Sequence, residues 1–299
     1  MRILHLDAGL AMRGGQWQAL RLADGLMRMG HEVTLLAREG SPLFEKAAVA
    51  GLPVRPLSLA AVASLSRTAD VVHAHDARAH TLASLAARTS FVVARRVAFP
   101  IRLDVASRWK YRRAAHFIAV SNFVKGVLER SGVPAEKISV IYDGVLVPPH
   151  AGAVPPAGDF LALETDDPEK GMQLTIEAAR LAGVELRLSR DLEADLKRAS
   201  GFVYITRSEG LGSAVLLAMA AGVPVIASCV GGLPEVVEHG RTGLLTENNP
   251  AAIADAIRQL HFSSSLAAGM ACAARKMVEE RFSVGVMVRH TFDVYQKVA

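Results

Sequence analysis

The fold is decided by residues 202–228, which read Phe-Val-Tyr-Ile-Thr-Arg-Ser-Glu-Gly-Leu-Gly-Ser-Ala-Val-Leu-Leu-Ala-Met-Ala-Ala-Gly-Val-Pro-Val-Ile-Ala-Ser. A β-rich run (202–206) leads into a turn that contains Gly210 and Gly212, and the helix formers of 213–221 follow. Gly222 ends this helix, and 223–228 predicts the next buried strand. A strand, a glycine turn and a helix in this order point the helix amides and dipole at an anion, such as the phosphates of a nucleotide.

One carboxylate, Glu209, lies at the mouth of this helix. Because a carboxylate does not ligate an anion, we expect Glu209 to accept hydrogen bonds from hydroxyl groups beside the phosphates.

This segment resembles the signature of the retaining nucleotide-sugar glycosyltransferases of family 4. That signature is Glu-Gly-x-Gly, a second acidic residue eight positions after the first, and Ala-x-Ala-x-Gly-x-Pro-Val. The resemblance continues through four further segments, which are 230–245, Arg281-Phe-Ser283, Arg13-Gly-Gly15 and Asp70-Val-Val-His-Ala-His75. The second acidic position is occupied by Leu217 in this chain.

Apolar strand-like runs alternate with helical patterns on both sides of a segment, 147–158, that contains four prolines. The runs before it are 3–6, 32–37, 54–57, 71–74, 91–94, 117–120 and 138–142, and those after it are 160–163, 185–188, 202–206 and 223–227. This alternation predicts an α/β protein with two parallel sheets covered by helices, and the proline-rich segment predicts the linker between them.

The resemblance implies the GT-B architecture, in which two doubly wound, Rossmann-like domains face each other across a cleft. We therefore expect an acceptor-side domain over residues 1–150 and a nucleotide-sugar domain over residues 151–281. The last residues, 282–299, are expected to form a helix that crosses back to the first domain. Ligands of such sheets bind beyond the carboxyl ends of the strands, so the residues that follow each strand are the candidates.

In the second domain the resemblance assigns the catalytic roles to Lys170 and Glu209. Lys170 matches the lysine that neutralises the departing diphosphate, although an ordinary lysine at a helix start is the alternative. Glu209 would orient the hydroxyl groups of the sugar. The expected phosphate-binding residues are Gly210, Leu211, Gly212 and Ser213.

In the first domain Gly14 and Gly15 would lie against the donor diphosphate and the acceptor, with a plain strand-to-helix turn as the alternative. His75 resembles a catalytic cleft histidine that contacts the substrate. Arg95 and Arg96 could pair with an acceptor phosphate through their fork geometry. Alternation along an extended segment sends them to opposite sides, so at most one of them is expected to do so.

No metal and no cofactor besides the nucleotide-sugar donor is expected. His73 and His75 lie two residues apart and share one face of a strand, a geometry that could hold a metal. No cysteine or carboxylate cluster completes such a site in the sequence, and the resembled family is metal-independent.

Three departures from the family pattern bear on function. Leu217 cannot bind the ribose hydroxyls, Glu164 and Thr165 replace a phosphate-binding arginine, and the region between Gly183 and Phe202 is short. The leading hypothesis is a retaining glycosyltransferase that uses a lipid-linked, lipopolysaccharide-type or other glycan acceptor. The alternative is a degenerate member that binds nucleotide, glycan or a partner protein. A nucleotide-sugar epimerase is disfavoured, because no acid/base constellation is apparent.

Charge is unevenly divided. Residues 1–150 carry 20 Lys/Arg and 11 Asp/Glu, whereas 151–299 carry 14 and 18. Within the basic half, 108–113 (Arg-Trp-Lys-Tyr-Arg-Arg) interleaves aromatic and cationic side chains. This composition suits an anionic membrane surface or nucleic acid, with a solvated helix face as the alternative. The two cysteines lack metal or disulfide spacing, and no signal-peptide pattern is present, so a cytoplasmic protein is expected. The basic, aromatic segment adds the expectation of a peripheral position on the inner face of the membrane. No nucleic-acid partner is expected.

Overall fold

The computed structural model describes residues 1–101, 104–149 and 158–299. The chain divides into two compact units, of which the first comprises Met1–Gly144 with Val284–Ala299 and the second comprises Val145–Ser283. The sequence placed this boundary at residue 150, within the proline-rich segment. Residues 150–157 of that segment lie outside the described residues.

The first unit contains one parallel sheet and its covering helices. Its strands are β1 (Arg2–Asp7), β2 (Glu32–Ala37), β3 (Val54–Pro56), β4 (Val71–Ala74), β5 (Phe91–Arg95), β6 (His116–Ala119) and β7 (Ile138–Val140). Its helices are α1 (Gly14–Arg28), α2 (Pro42–Val49), α3 (Leu59–Leu65), α4 (Ala77–Ala86), α5 (Val105–Arg113), α6 (Asn122–Arg130) and the last helix of the chain, α13 (Val284–Val298).

The strand order of this sheet is β3-β2-β1-β4-β5-β6-β7, and every neighbouring pair is parallel. The order reverses between β1 and β4, which defines the topological switch point of a doubly wound sheet. Helix α13 contributes Met287, Val288, Val294 and Tyr295 to the same apolar core as Leu22 of α1. Burial of these side chains attaches the last segment of the chain to the first unit.

The second unit contains a smaller parallel sheet. Its strands are β8 (Phe160–Leu163), β9 (Leu186–Ser189), β10 (Gly201–Tyr204), β11 (Val225–Ser228) and β12 (Leu244–Thr246). Its helices are α7 (Met172–Ala182), α8 (Leu192–Asp195), α9 (Ser213–Ala220), α10 (Leu233–Val236), α11 (Pro250–His261) and α12 (Ser264–Arg281).

The strand order here is β12-β11-β10-β8-β9, again parallel throughout. The order reverses between β8 and β10, so the switch point of this sheet lies between the segments that follow those two strands. The predicted alternation of strands and helices and the two parallel sheets are confirmed. Strand β12 was not predicted.

No helix in the described parts of the chain combines the length and the apolar character needed to cross a bilayer.

Candidate active site

The loop between β10 and α9 carries the glycines from which the phosphate site was predicted. Gly212 precedes α9 with φ +103°, a conformation that favours glycine, and a Cβ atom there would lie 2.5 Å from Leu233 Cδ2. Gly231 packs against the same loop, since a Cβ atom at Gly231 would lie 2.0 Å from the carbonyl oxygen of Glu209. The glycines therefore allow the loop to fold closely against its neighbour and leave the amino end of α9 without bulky side chains.

Lys170 and Glu209 meet at the switch point of the second sheet. Lys170 ends a short 3-10 turn (Pro168–Lys170) after β8, and Glu209 lies in the loop after β10. The Lys170 ammonium donates to Glu209 Oε2 at 2.7 Å, and Glu209 Oε1 accepts from the Gly210 amide at 3.1 Å. Their side chains are 26% and 18% exposed, so the pair is sheltered but accessible.

Tyr204, the last residue of β10, completes this group. Its hydroxyl donates to Glu209 Oε2 and accepts from the Lys170 ammonium at 2.8 Å. Burial, and secondarily the neighbouring Glu209 carboxylate, hold the pKa of Tyr204 well above its usual value. Tyr204 therefore keeps its proton and remains a donor to Glu209. Sequence reasoning missed this residue, although a tyrosine at the carboxyl end of the strand before the glycine loop was the available signal.

Hydrogen bonds of backbone and side-chain atoms hold the two loops that carry this group. The Thr206 hydroxyl, which is buried, lies 3.1 Å from the Glu169 carbonyl oxygen and 3.0 Å from that of Ser208. The Arg207 amide also donates to the Glu169 carbonyl at 2.8 Å. The backbone beside Lys170 is thus tied to the backbone beside Glu209.

Leu217 faces a cavity of about 390 Å³ between α8 and α9. Its charged lining residues are Asp191, Glu193 and Lys197, and its apolar lining residues include Leu217 of α9 and Ala221, which follows that helix. Asp191 also caps α8 by accepting from the Ala194 amide at 3.2 Å. Although α9 lacks the second acidic residue, two carboxylates line the same cavity, that of Asp191 just before α8 and that of Glu193 within it.

Around the switch point of the first sheet, several predicted residues lie close together. Gly14 and Gly15 form the first turn of α1, and a Cβ atom at Gly15 would lie 3.8 Å from Arg96 Cδ. Arg96 pairs with Asp143, with 3.0 Å between Nε and Oδ1. Arg95 turns elsewhere and donates to the Phe99 carbonyl oxygen. As the alternation predicted, the two arginines do not share one side.

His75 is buried within a cluster of three histidines. His5 Nδ1 and His75 Nε2 are hydrogen-bonded at 2.8 Å, and His73 Nδ1 lies 2.5 Å from the Tyr295 hydroxyl. Burial lowers the pKa of all three, for His5 to about 3, and the positive charge of Arg96 lowers it further. The imidazoles are therefore neutral at pH 7.

These histidines also meet a geometric condition for a metal site, since each offers one nitrogen and these atoms lie within 4.8 Å of one another. The sequence missed His5 because it lies within the apolar run of β1. The same Arg96 charge that disfavours protonation also repels a metal cation. The absence of a metal requirement stays a prediction.

The sequence models of two protein families match this chain. Glycosyltransferase Family 4 matches residues 12–146, and Glycosyl transferases group 1 matches residues 164–262. The chain therefore contains a Glycosyltransferase Family 4 region and a Glycosyl transferases group 1 region.

Among curated proteins, an alpha-maltose-1-phosphate synthase from Mycolicibacterium smegmatis is 39% identical to this chain over 111 residues. The match covers 35% of the chain and 29% of that relative. A GDP-mannose-dependent phosphatidylinositol monomannoside mannosyltransferase from Mycobacterium tuberculosis is 45% identical over 71 residues, which are 23% of the chain and 18% of the relative. The chain thus matches less than a third of the length of either relative.

Among solved structures, Alr3699/HepE of Anabaena in complex with UDP-glucose is similar over nearly the whole chain. The TM-score is 0.86 at 18% identity, and the match covers 99% of this chain and 100% of that one. The GT-B fold of this chain is therefore shown.

Proposed function

We propose that this chain transfers a sugar from a nucleoside diphosphate sugar to a glycan or lipid-linked acceptor, with retention at the anomeric carbon. The observation that carries the proposal is the Lys170–Glu209–Tyr204 group beside the glycine loop, at the switch point of the second sheet. The complex of Alr3699/HepE with UDP-glucose supports the choice of donor.

Each of these residues has a part in the proposed reaction. When the anomeric C–O bond breaks, its electron pair stays with the diphosphate. Lys170 and the amides of 210–215 would stabilise that negative charge, which is where preorganised donors contribute most. Glu209 would bind sugar hydroxyls, and Tyr204 would hold the carboxylate in place. Lys170 must then exchange part of its contact with Glu209 for the diphosphate.

The nucleoside half of the donor is assigned to the cavity between α8 and α9. Leu217 and Ala221 offer an apolar wall to a base, and the carboxylates of Asp191 and Glu193 can accept hydrogen bonds from a ribose diol. Leu217 lies four residues after the start of α9, which is about 6 Å along the helix. We therefore infer that α8 supplies the carboxylate that α9 lacks.

The acceptor is proposed to be lipid-linked and the protein to act at an anionic membrane surface. Helix α5 has no buried residue and exposes Val105 and Trp109, which are 85% and 44% exposed, beside Arg112 and Arg113. The similarity of this chain to a phosphatidylinositol monomannoside mannosyltransferase favours such an acceptor.

A binding screen followed by a turnover assay tests the reaction. UDP or GDP should raise the melting temperature, because a ligand that binds the folded state stabilises it. In the presence of EDTA, the matching nucleotide sugar should then transfer its sugar to a lipid-linked acceptor. The product should keep the α-anomeric configuration of the donor. Nucleotide binding without sugar transfer to any of the acceptors tested would favour the alternative, a degenerate protein that only binds nucleotide or glycan.

A further inference from the structure

The first unit has a cavity at the amino edge of its sheet. The cavity is about 540 Å³ in volume and lies between α5, the end of α6 and the start of β7. Lys137 directly precedes β7, and Phe117 is the second residue of β6. These positions lie at the amino ends of the strands. His75 and Arg96 lie at the opposite edge of the sheet, beyond the carboxyl ends of the strands. The cavity is therefore separate from the proposed acceptor residues.

Its charge is entirely positive. Among the described residues that line it, four are cationic, namely Arg108, Arg112, Arg130 and Lys137, and none is acidic. Arg108 and Arg112 are one helical turn apart and so lie on the same face of α5. Within the described residues, none of the four forms an ion pair with a carboxylate.

Helix dipoles do not account for this charge. Both α5 and α6 end beside the cavity, and each carboxyl end presents about half a negative charge, roughly one in total against four cations. The last carbonyls of α6 already accept hydrogen bonds from the amides of Ser131, Gly132 and Val133. About three positive charges therefore remain without a counter-charge.

The wall of the cavity is suited to an organic ligand. Tyr111 and Phe117 stack there with ring centroids 5.3 Å apart and an interplanar angle of 11°. Ser107 also lines the cavity. Its volume is within the range of about 300–1,000 Å³ that small-molecule sites occupy.

We propose that this cavity binds the phosphate groups of a phosphorylated ligand. Arginine presents paired N–H donors that match two phosphate oxygens, and a phosphomonoester carries between about one and a half and two negative charges at pH 7. The phosphate can belong to a membrane lipid headgroup or to a soluble phosphorylated compound. The proposal does not depend on sugar transfer, because it concerns binding at another edge of the sheet.

Helix α5 itself offers a matched control. Arg108 and Arg112 line the cavity, whereas Lys110 and Arg113 do not. The variants Arg108→Gln/Arg112→Gln and Lys110→Gln/Arg113→Gln remove the same charge from the same helix. All four side chains are exposed or half-buried, and thermal melting confirms folding of each variant.

Isothermal titration calorimetry with inorganic pyrophosphate provides the first arm. We expect the cavity variant to bind about tenfold more weakly than wild type and the control variant to lose less than about twofold. Binding of pyrophosphate near Lys170 is common to both variants and cancels in the comparison. Arg130→Gln on α6 should weaken binding in the same direction as the cavity variant.

Sedimentation with phosphatidylcholine vesicles provides the second arm, with phosphatidic acid or phosphatidylserine added at matched net charge. A preference for phosphatidic acid that only the cavity variant loses, and that pyrophosphate competes away, assigns the site to lipid headgroups. The same asymmetry with pyrophosphate alone assigns it to soluble ligands. Equal losses in the two double variants with both probes, or no binding of either probe by wild type, overturns the proposal.

Discussion

The two sheets carry polar clusters at corresponding switch points, but the environments differ. In the second unit, Lys170, Glu209 and Tyr204 bond to one another, and the side chains of the lysine and the carboxylate are partly exposed. In the first unit, His5, His73 and His75 are buried, and one ring nitrogen of each has no hydrogen-bond partner within the described residues. The comparison separates groups that can reach a ligand from groups that the sheet encloses.

This difference predicts different consequences of substitution. Changes in the second cluster should alter the reaction with little effect on folding, because partly exposed pairs contribute little to stability. Changes in the histidine cluster should alter stability, because buried polar groups are sensitive to protonation and to loss of a partner.

The largest expected effect is that of Lys170→Met on transfer. Loss of the cation that we propose stabilises the departing diphosphate should lower kcat about a hundred- to thousandfold. Steady-state kinetics measures this, and the melting temperature should change by only a few degrees. Lys276→Met, which removes an exposed lysine of α12 in the second unit, is the control. Equal activity of the two variants would show that Lys170 has no part in the reaction.

The histidine cluster should make stability depend on pH. Each imidazole has a lowered pKa in the folded protein, about 3 in the case of His5. Between that folded-state pKa and pH 6.5, the unfolded chain therefore binds more protons than the folded chain. Stability is then complete above pH 6.5 and falls by about 1.4 kcal/mol per pH unit for each histidine as the pH decreases.

Urea unfolding between pH 7 and pH 5 measures this slope. His5→Asn removes one proton-binding group, so its slope should be smaller by about one proton than that of wild type. A free energy of unfolding that stays constant over this range would mean that the cluster is not enclosed.

Tyr204→Phe should have a smaller effect on the reaction. The variant keeps the ring but removes the hydroxyl that donates to Glu209, a charged hydrogen bond worth about 1.5–3 kcal/mol. If the hydroxyl positions the carboxylate for the transition state, kcat should fall about tenfold with KM little changed. A rise in KM alone would instead indicate that Tyr204 acts only in substrate binding.

The smallest effect concerns the ribose. Glu193→Gln should weaken UDP or GDP binding by up to about tenfold, and Leu217→Glu in that background should restore it by returning a carboxylate from α9. Calorimetry with the nucleoside diphosphate measures both variants, with the exposed Glu177→Gln on α7 as the control. If Glu193→Gln binds as tightly as this control, α8 does not supply the ribose carboxylate.

Local patterns predicted most of the fold. Strand periodicity placed β2, β4 and β8 at their observed limits, and the glycine turn placed the amino end of α9. Strand β12 was missed because its apolar run has only two residues, Leu244 and Leu245, and polar residues follow them.

Much of the site depends on tertiary contacts that sequence spacing does not reveal. The meeting of Lys170 with Glu209 follows from the adjacency of β8 and β10, which are separated by a whole strand and two helices in the sequence. Asp191 and Glu193 lie more than twenty residues before Leu217, and only the packing of α8 near α9 brings them to one cavity. His5 was hidden by its place in an apolar strand.

The most direct test of the central claim is a crystal structure with bound UDP or GDP. The proposed function requires the diphosphate to accept hydrogen bonds from the Lys170 ammonium and from amides of 210–215, with the ribose in the cavity beside Leu217. In that state the contact of Lys170 with Glu209 should lengthen. A nucleotide bound with its phosphates away from Lys170 and from the amino end of α9 would contradict the account.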